Sequence, residues 1–402
     1  MKLSNKIFQG DKVIWMVVML LVLSSLLAVY SATGTYANVK YNGNNTYTLL
    51  LHAVRLLVGL GAVYVAHLFK YTYYSRLLWL FFFLSIPLLI YTLIGGTDLN
   101  EAQRTIKIFG LISFQSSDFA KVALIGYLAR ELTLRQDNIK DFKTAFIPLM
   151  LPVLVVVALI FPENFSTAGI LFASCMVLLF VGRINMKYLM IFFAIVFVAV
   201  TIYVLIVMNF AEDKGRTGVW VQRVVSYVES FKKDEVKDAA ELARQENEED
   251  FQIIQSKIAV ATGGILGKGP GRSTQRNFLP HPYSDFVYAI ILEEYGLVGG
   301  IVVLMLYMIL LFRAVAIMAV RPQSFGGFLA FGLAFMIVMQ AMVNMGVAVG
   351  LLPVTGQPLP MISMGGSSIM LTGFAIGIIL SISKDINNEE KRDELETTQN
   401  NN

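Results

Sequence analysis

Long apolar segments recur along this chain, and they restrict the folds that are open to it. A helix that crosses a bilayer needs about 20 apolar residues, and the backbone groups of such a helix satisfy one another within the segment. The apolar runs therefore predict an all-α integral membrane protein with about ten transmembrane helices. The ten predicted spans are residues 13–32, 48–68, 77–95, 116–130, 145–161, 166–182, 187–208, 286–312, 325–349 and 363–383.

Charge is scarce and unevenly placed in the sequence. Hydrophobic residues make up 56% of the chain and charged residues 15%, whereas soluble domains carry about 25% charged residues. Most Lys and Arg of the short loops fall on the side that holds the N-terminus, which predicts that both termini are cytoplasmic. The chain then divides into a cytoplasmic N-terminus (1–12), a transmembrane domain (13–384) and a cytoplasmic tail (385–402) that is predicted to be disordered. A large extracytoplasmic loop, residues 209–284, connects the seventh and eighth helices and carries a predicted surface helix at 231–257.

Several function classes do not fit this composition. The basic residues are scattered rather than grouped on one face, which does not favour nucleic-acid binding. The single cysteine, Cys175, lies in an apolar segment, so an internal disulfide is impossible. The three histidines lie far apart in the sequence, which does not favour a Cys/His metal site.

Residues 350–368, between the ninth and tenth predicted spans, cannot form a regular helix. The segment contains three prolines, which lack the backbone N–H and clash with the preceding turn. Irregular backbone at membrane depth occurs only where protein buries it or a wet cavity borders it. The segment is therefore predicted to be a re-entrant or cavity-lining stretch beside Asp285, with hydroxyls at Ser363 and Ser367. A tight extramembrane turn is the alternative.

Charged side chains at membrane depth cost about 2.5–3.5 kcal/mol each on insertion scales, so they mark a function or a buried pair. Asp118 and Lys121 lie three residues apart in the fourth span, share a helix face and are predicted to pair. A helix-packing salt bridge is the purely structural alternative for this pair. Asp285 and Glu293 enter the eighth span from outside. For Asp285 the alternative role is a helix cap.

Four basic residues are predicted to face the outside of the membrane. Arg104 and Lys107 precede the fourth span, while Lys268 and Arg272 accompany five glycines in residues 263–271. A glycine-rich loop can hold phosphate through its backbone N–H groups. This loop lacks the P-loop pattern, however, and a flexible turn is the favoured interpretation of the glycines.

Five motifs follow one another in a fixed order between residues 12 and 384. They are Arg104 with Phe114-Gln-Ser-Ser-Asp-Phe-Ala-Lys121, Asn164-Phe-Ser-Thr167, Gly269-Pro-Gly-Arg-Ser-Thr-Gln-Arg-Asn-Phe-Leu-Pro280, Ser284-Asp-Phe-Val-Tyr-Ala289 with Glu293-Glu-Tyr-Gly-Leu297, and Leu352-Pro-Val-Thr-Gly-Gln-Pro-Leu-Pro-Met-Ile-Ser-Met-Gly-Gly-Ser-Ser368. Together they resemble the SEDS family (shape, elongation, division and sporulation), which includes FtsW and RodA. The third motif looks more like the division member, FtsW.

The resemblance implies a peptidoglycan glycosyltransferase of the bacterial cytoplasmic (inner) membrane, acting at the division septum. Such an enzyme polymerises lipid II into β-1,4 glycan strands on the extracytoplasmic face. Its implied partners are a class B penicillin-binding protein and other division proteins. No cofactor is firmly implied, but the departing diphosphate needs positive charge or a metal ion, for which Mg²⁺ or Mn²⁺ is the candidate. The implied catalytic residue is Asp285, and the candidate substrate-binding residues are Arg104, Lys107, Asp118, Lys121, Lys268, Arg272, Glu293, Ser363 and Ser367.

Two motifs depart from the family pattern, and two other functions stay open. His281-Pro-Tyr283 stands where the family usually has an acidic residue and a histidine before the Ser/Thr-Asp pair. Asn164 stands where the family has an aspartate, with Glu163 beside it as a candidate substitute. Interior charges and broken helices are also typical of transporters, so a lipid II flippase is one alternative and a non-catalytic division scaffold is the other. Polymer formation from lipid II that is already on the outer face separates the enzyme from both.

Overall fold

The computed structural model describes residues 9–34, 45–95, 97–99, 102–108, 112–210, 248–279 and 282–400, and this part of the chain is mostly helical. Each of the ten predicted spans lies on a helix. The helices in the described ranges are α1 (Lys12–Ala32), α2 (Asn45–Leu68), α3 (Tyr71–Gly95), α4 (Ser116–Leu134), α5 (Ile147–Ile160), α6 (Phe165–Val181), α7 (Met186–Phe210), α8 (Glu248–Gly263), α9 (Val287–Val320), α10 (Phe325–Ala348) and α11 (Gly366–Asn400). Short helical turns at Gln136–Asn138, Phe142–Phe146 and Gln275–Asn277 connect them.

Seven of the described helices are long and apolar enough to cross a membrane. They are α1, α2, α3, α5 with the turn before it, α9, α10 and α11, while α6 and the first part of α7 are shorter apolar helices. The structure therefore confirms the all-α membrane fold. The number of crossings and the orientation remain predictions.

Burial places α10 and α11 at the centre of the helix bundle. In their apolar stretches 78% and 72% of the residues are buried, against 28% in both α2 and α3. Glycines at 373 and 377 allow α11 to pack closely on α2, since a Cβ atom at either position would lie 2.4 Å from a backbone oxygen of α2. Small residues four apart are the usual means by which helices approach in membranes.

A small antiparallel sheet precedes α4, and the all-α prediction missed it. Its strands are β1 (Thr97–Leu99), β2 (Ala102–Ile108) and β3 (Ile112–Gln115), in the order β1-β2-β3. Polar and apolar residues alternate from Thr105 to Ile108 in β2 and again throughout β3, which is the period of a strand. The sheet places the backbones of Arg104 and Lys107 directly before α4, and their side chains lie outside the described part of the structure.

Two helices differ from their predicted bounds. The predicted span 286–312 is broken at Gly296, whose φ of 65° and ψ of −167° are not helical. The predicted disordered tail is also wrong as far as Asn400, because α11 continues through it. Residues 385–400 include four Glu, one Lys, one Arg and one Leu, all good helix formers, and Glu389 forms an ion pair with Arg321 at the end of α9.

The predicted extracytoplasmic loop is described at residues 209–210, where α7 ends, and at residues 248–279 and 282–284. There α8 packs against α9 and α10, and the Ser256 hydroxyl donates a hydrogen bond to Ala348 O at the end of α10, at 2.6 Å. Most of the predicted surface helix at 231–257 lies outside the described residues. The described part of the loop is therefore folded against the ends of the membrane helices.

Candidate active site

Asp285 lies two residues before α9 and does not cap it. The helix begins at Val287, its N-cap residue is Phe286, which makes no side-chain capping bond, and its first turn holds no acidic residue. The helix-cap alternative for Asp285 is therefore wrong. The side chain is half-buried, and the Ser284 hydroxyl donates a hydrogen bond to Asp285 Oδ1 at 2.8 Å.

The backbone around Asp285 is fixed by three consecutive carbonyl groups. The carbonyls of residues 283, 284 and 285 each accept a hydrogen bond from α10 or from residues 350–368, which we call the proline-rich segment. The donors are the Met364 N–H (2.9 Å), the Ser363 hydroxyl (2.5 Å) and the Asn344 side-chain amide (2.8 Å). These contacts confirm the prediction that residues 350–368 lie beside Asp285.

The two predicted serines of this segment have different surroundings. Ser363 is 1% exposed, and its hydroxyl oxygen also accepts the Leu359 N–H at 2.7 Å. Ser363 therefore holds the segment against the backbone before Asp285, and its hydroxyl is already engaged within the chain. Ser367 is half-buried, and its hydroxyl accepts the Gln115 N–H at 3.2 Å. Substrate binding by Ser367 stays a prediction.

Two side-chain amides of α10 donate hydrogen bonds to the proline-rich segment. Asn344 donates to Gln357 O at 2.7 Å, and Gln340 donates to Pro358 O at 2.9 Å. Residues four apart share a helix face, so one face of α10 binds two successive carbonyls. Because Asn344 also donates to Asp285 O, one side chain joins the segment to the candidate catalytic residue.

Asn164 has a structural role that accounts for the departure from the family pattern. It is the N-cap of α6, where its Oδ1 accepts the Thr167 N–H at 3.1 Å. Asn and Asp cap helices about equally well, so the cap tolerates the substitution. The Thr167 hydroxyl accepts a hydrogen bond from the Gln357 side chain at 2.8 Å. Sequence reasoning did not single out Gln357, although it is the one amide side chain in the proline-rich segment.

Asp118 and Lys121 form the predicted buried ion pair. Lys121 Nζ lies 2.7 Å from Asp118 Oδ1 and donates to Gln340 Oε1 at 2.9 Å. The two residues are 6% and 4% exposed. They line a cavity of about 20 Å³ together with Ser368 and Thr372 of α11, and a space of this size holds about one water molecule. The pair thus joins α4 to the α10 face that supports Asp285.

The two candidate basic residues of the predicted extracytoplasmic loop are not equivalent. Lys268 Nζ lies 2.6 Å from Glu293 Oε1. The Glu293 side chain is fully buried, whereas 29% of the Lys268 side chain is exposed. Arg272 is exposed. Lys268 therefore has its charge compensated within the protein, and Arg272 is accessible from solution.

Metal ligands are sparse around this site. In the ranges that the structure covers, no group of three or more His, Cys, Asp or Glu side chains is arranged to hold a metal ion. The expected divalent cation stays a prediction.

Comparisons with known proteins match almost the whole chain. A family described as "Cell cycle protein" (FtsW, RodA, SpoVE) matches residues 11–388. The chain is 31% identical to "Stage V sporulation protein E" of Bacillus subtilis over 95% of this chain and 99% of that protein. It is 33% identical to "Probable peptidoglycan glycosyltransferase FtsW" of Geobacter sulfurreducens over 94% and 96% of the two chains.

Two solved structures share the fold at lower sequence identity. A chain from "Structural coordination of polymerization and crosslinking by a peptidoglycan synthase complex" matches with a TM-score of 0.72 and 24% identity, over 94% of this chain and 98% of that one. The rod shape determining protein RodA of Thermus thermophilus matches with a TM-score of 0.63 and 23% identity, over 94% and 97%.

Proposed function

Since the chain belongs to the family of FtsW, RodA and SpoVE, we propose that it is a peptidoglycan glycosyltransferase that uses Asp285 to polymerise lipid II during septal cell-wall synthesis. The observation that carries this proposal is the half-buried carboxylate of Asp285 on a backbone that three successive hydrogen bonds hold in place. A general base needs this combination of access and fixed position.

The reaction joins two lipid-linked sugars. The acceptor 4-hydroxyl attacks the anomeric carbon of the donor, the bond from that carbon to the diphosphate oxygen breaks, and undecaprenyl diphosphate leaves as the anion. Asp285 takes the proton of the attacking hydroxyl. General-base assistance of this kind is worth about 10²–10⁴-fold in rate.

The departing diphosphate develops negative charge, which cations in the site stabilise. Arg104 and Lys107 on β2 and the exposed Arg272 are the proposed diphosphate ligands. A divalent cation bound to the diphosphate would add to the same stabilisation. Asp118 and Lys121 shape the neighbouring cavity and support the site through Gln340, because the nearest partners of both charges lie within the bundle.

The proposed setting is the cytoplasmic membrane at the division septum, with the site on the extracytoplasmic face. A class B penicillin-binding protein, which cross-links the glycan strands, is the proposed partner. The fold shared with a chain of a peptidoglycan synthase complex supports this pairing.

The test is polymerisation by the purified protein, with and without a class B penicillin-binding protein, on lipid II in detergent. Detergent removes the need for transport, so a flippase or a scaffold would leave the substrate unchanged. The proposal predicts glycan chains that gel electrophoresis resolves and that a muramidase digests. Intact lipid II in both arms would contradict it.

A further inference from the structure

The break in α9 separates two parts that face different surroundings. Residues 287–294 are all buried, whereas Leu297 and Val298 are 52% and 50% exposed. We call residues 287–295 the half-helix. Asp285 lies just before its first turn, and exposed apolar surface begins after its last turn.

The glycine-rich loop supplies the hydrogen bonds that the break removes. In a continuous helix the N–H groups of Leu297 and Val298 would bond to the carbonyls of Glu293 and Glu294. Here those two N–H groups instead donate to loop carbonyls, and the two glutamate carbonyls accept loop N–H groups. The four bonds are Leu297 N to Gly264 O (2.9 Å), Val298 N to Ile265 O (3.2 Å), Lys268 N to Glu293 O (3.0 Å) and Gly269 N to Glu294 O (2.9 Å).

This exchange needs glycine on both sides. A Cβ atom at Gly267 would lie 2.2 Å from Glu294 O, and one at Gly296 would lie 2.3 Å from Ile265 O. Both glycines also have positive φ, 81° and 65°, which L side chains rarely adopt. The glycine-rich loop and the break in α9 therefore pack closely against each other, and we call this contact the joint. The favoured interpretation of a flexible turn is wrong, and the Lys268 and Gly269 N–H groups that a phosphate cradle would use are already bonded.

The buried Glu293 carboxylate fastens the same loop through side chains. Five donors lie within hydrogen-bond distance of its two oxygens, which is more than the about four lone-pair sites that a carboxylate offers, so the group is saturated. The donors are Lys268 Nζ (2.6 Å), the Ser273 hydroxyl (2.5 Å), the Thr274 N–H (3.1 Å) and hydroxyl (2.8 Å), and the Gln275 N–H (3.2 Å). The neighbouring Glu294 accepts the Ser273 N–H at 3.1 Å and the hydroxyl of Ser31 on α1.

We propose that Glu293 and Lys268 are positioning residues that hold the far end of the half-helix and thereby fix Asp285 at its near end. This inference rests on the proposed function, and it replaces the predicted substrate-binding roles of both residues. Asp285 and Glu293 are eight residues apart, about 12 Å at the rise of a helix, so a tilt of about 5° at the joint moves Asp285 by about 1 Å. A displacement of that size costs on the order of 10²-fold in rate.

Direct binding and positioning give different kinetics. If Lys268 bound the diphosphate, Lys268→Met would raise KM for lipid II, and Glu293→Gln would free the lysine and leave KM unchanged or lower it. If the two residues position Asp285, both variants lower kcat about 10–100-fold with KM within about threefold. The kcat of the double variant is then no lower than that of the more impaired single variant, because the two substitutions disrupt the same joint. Lys268→Arg, which keeps the charge, recovers most of kcat.

The experiment measures kcat and KM for lipid II in these variants, with Lys257→Gln as the matched control on the exposed side of α8. A second readout does not depend on activity. Amide hydrogen exchange of residues 287–292 should rise in Glu293→Gln and in Lys268→Met but not in the control. If Glu293→Gln does not fold, Lys268→Met alone provides the test, since Lys268 is partly exposed and its substitution disturbs the core less.

Two results would overturn the inference: a tenfold rise in KM for Lys268→Met with kcat retained, or unchanged exchange of the half-helix in both variants. Failure of the proposed function is a separate outcome. In that case the wild-type protein makes no polymer, and the exchange data still decide whether the joint holds the half-helix.

Discussion

The ion pair of Asp118 and Lys121 allows a quantitative test of how the bundle supports the site. The two groups lie 2.7 Å apart, both are almost fully buried, and Lys121 Nζ also donates a hydrogen bond to Gln340 Oε1. Lys121→Met leaves a carboxylate whose Oδ2 already lacks a hydrogen-bond partner in the described chain. Removing one member of a buried pair costs about 3–5 kcal/mol, whereas replacing both with neutral groups is often neutral or stabilising.

Each single variant, Lys121→Met or Asp118→Asn, is therefore expected to lower the free energy of unfolding by about 3–5 kcal/mol. The double variant should recover at least about 2 kcal/mol of the combined loss, which is the coupling energy of the pair. The assay is denaturant or thermal unfolding in nanodiscs, followed by tryptophan fluorescence. The pair Arg321–Glu389, with side chains 23% and 52% exposed, is the matched control and should couple by less than about 1 kcal/mol. A coupling energy for Asp118 and Lys121 as small as that of the control would refute the reasoning.

Three further predictions concern the contacts around Asp285. Asn164→Ala should lower the free energy of unfolding by about 1 kcal/mol because the α6 cap is lost, whereas Asn164→Asp should cost little. Thermal unfolding of both variants measures the difference, and equal losses would contradict the capping role. Ser363 is 1% exposed, so Ser363→Cys should not react with a membrane-impermeant maleimide in the folded protein. Leu351 is 70% exposed, so Leu351→Cys should react with the reagent from outside. The reverse pattern would overturn the burial of Ser363 or the predicted orientation. Asn344→Leu leaves the carbonyls of Asp285 and Gln357 without this donor and should lower kcat more than KM; a change confined to KM would show that Asn344 contacts substrate instead.

Features set by local spacing could be predicted from the sequence. The spans follow from apolar length, and the pairing of Asp118 with Lys121 follows from their separation on one helix. The signal for the small sheet is also local but short, because polar and apolar residues alternate only over Thr105–Ile108 and again over Ile112–Gln115. The long apolar segments on either side therefore favour a prediction of helix alone.

Features that depend on distant parts of the chain could not be predicted in the same way. In the sequence, Gly296 looks like an ordinary glycine near an apolar run. The residues that pack against it at the break lie about thirty positions earlier, in the glycine-rich loop. The bond from Asn344 to Asp285 O joins residues that are 59 apart in sequence. Family resemblance identified Asp285 as the candidate, but it did not show that Lys268 is bonded to Glu293, and this contact changes the role we assign to both.

The rate of glycan polymerisation by Asp285→Asn tests the central claim most directly. The substitution keeps the size of the side chain and its capacity to accept a hydrogen bond from Ser284, but it removes the base. With saturating lipid II and the class B penicillin-binding protein present, the account predicts a fall of about 10²–10⁴-fold in kcat, with unfolding unchanged and with full activity in the control Asp137→Asn on an exposed turn. A kcat for Asp285→Asn within a few-fold of the wild-type value would contradict the assignment of Asp285 as the catalytic base.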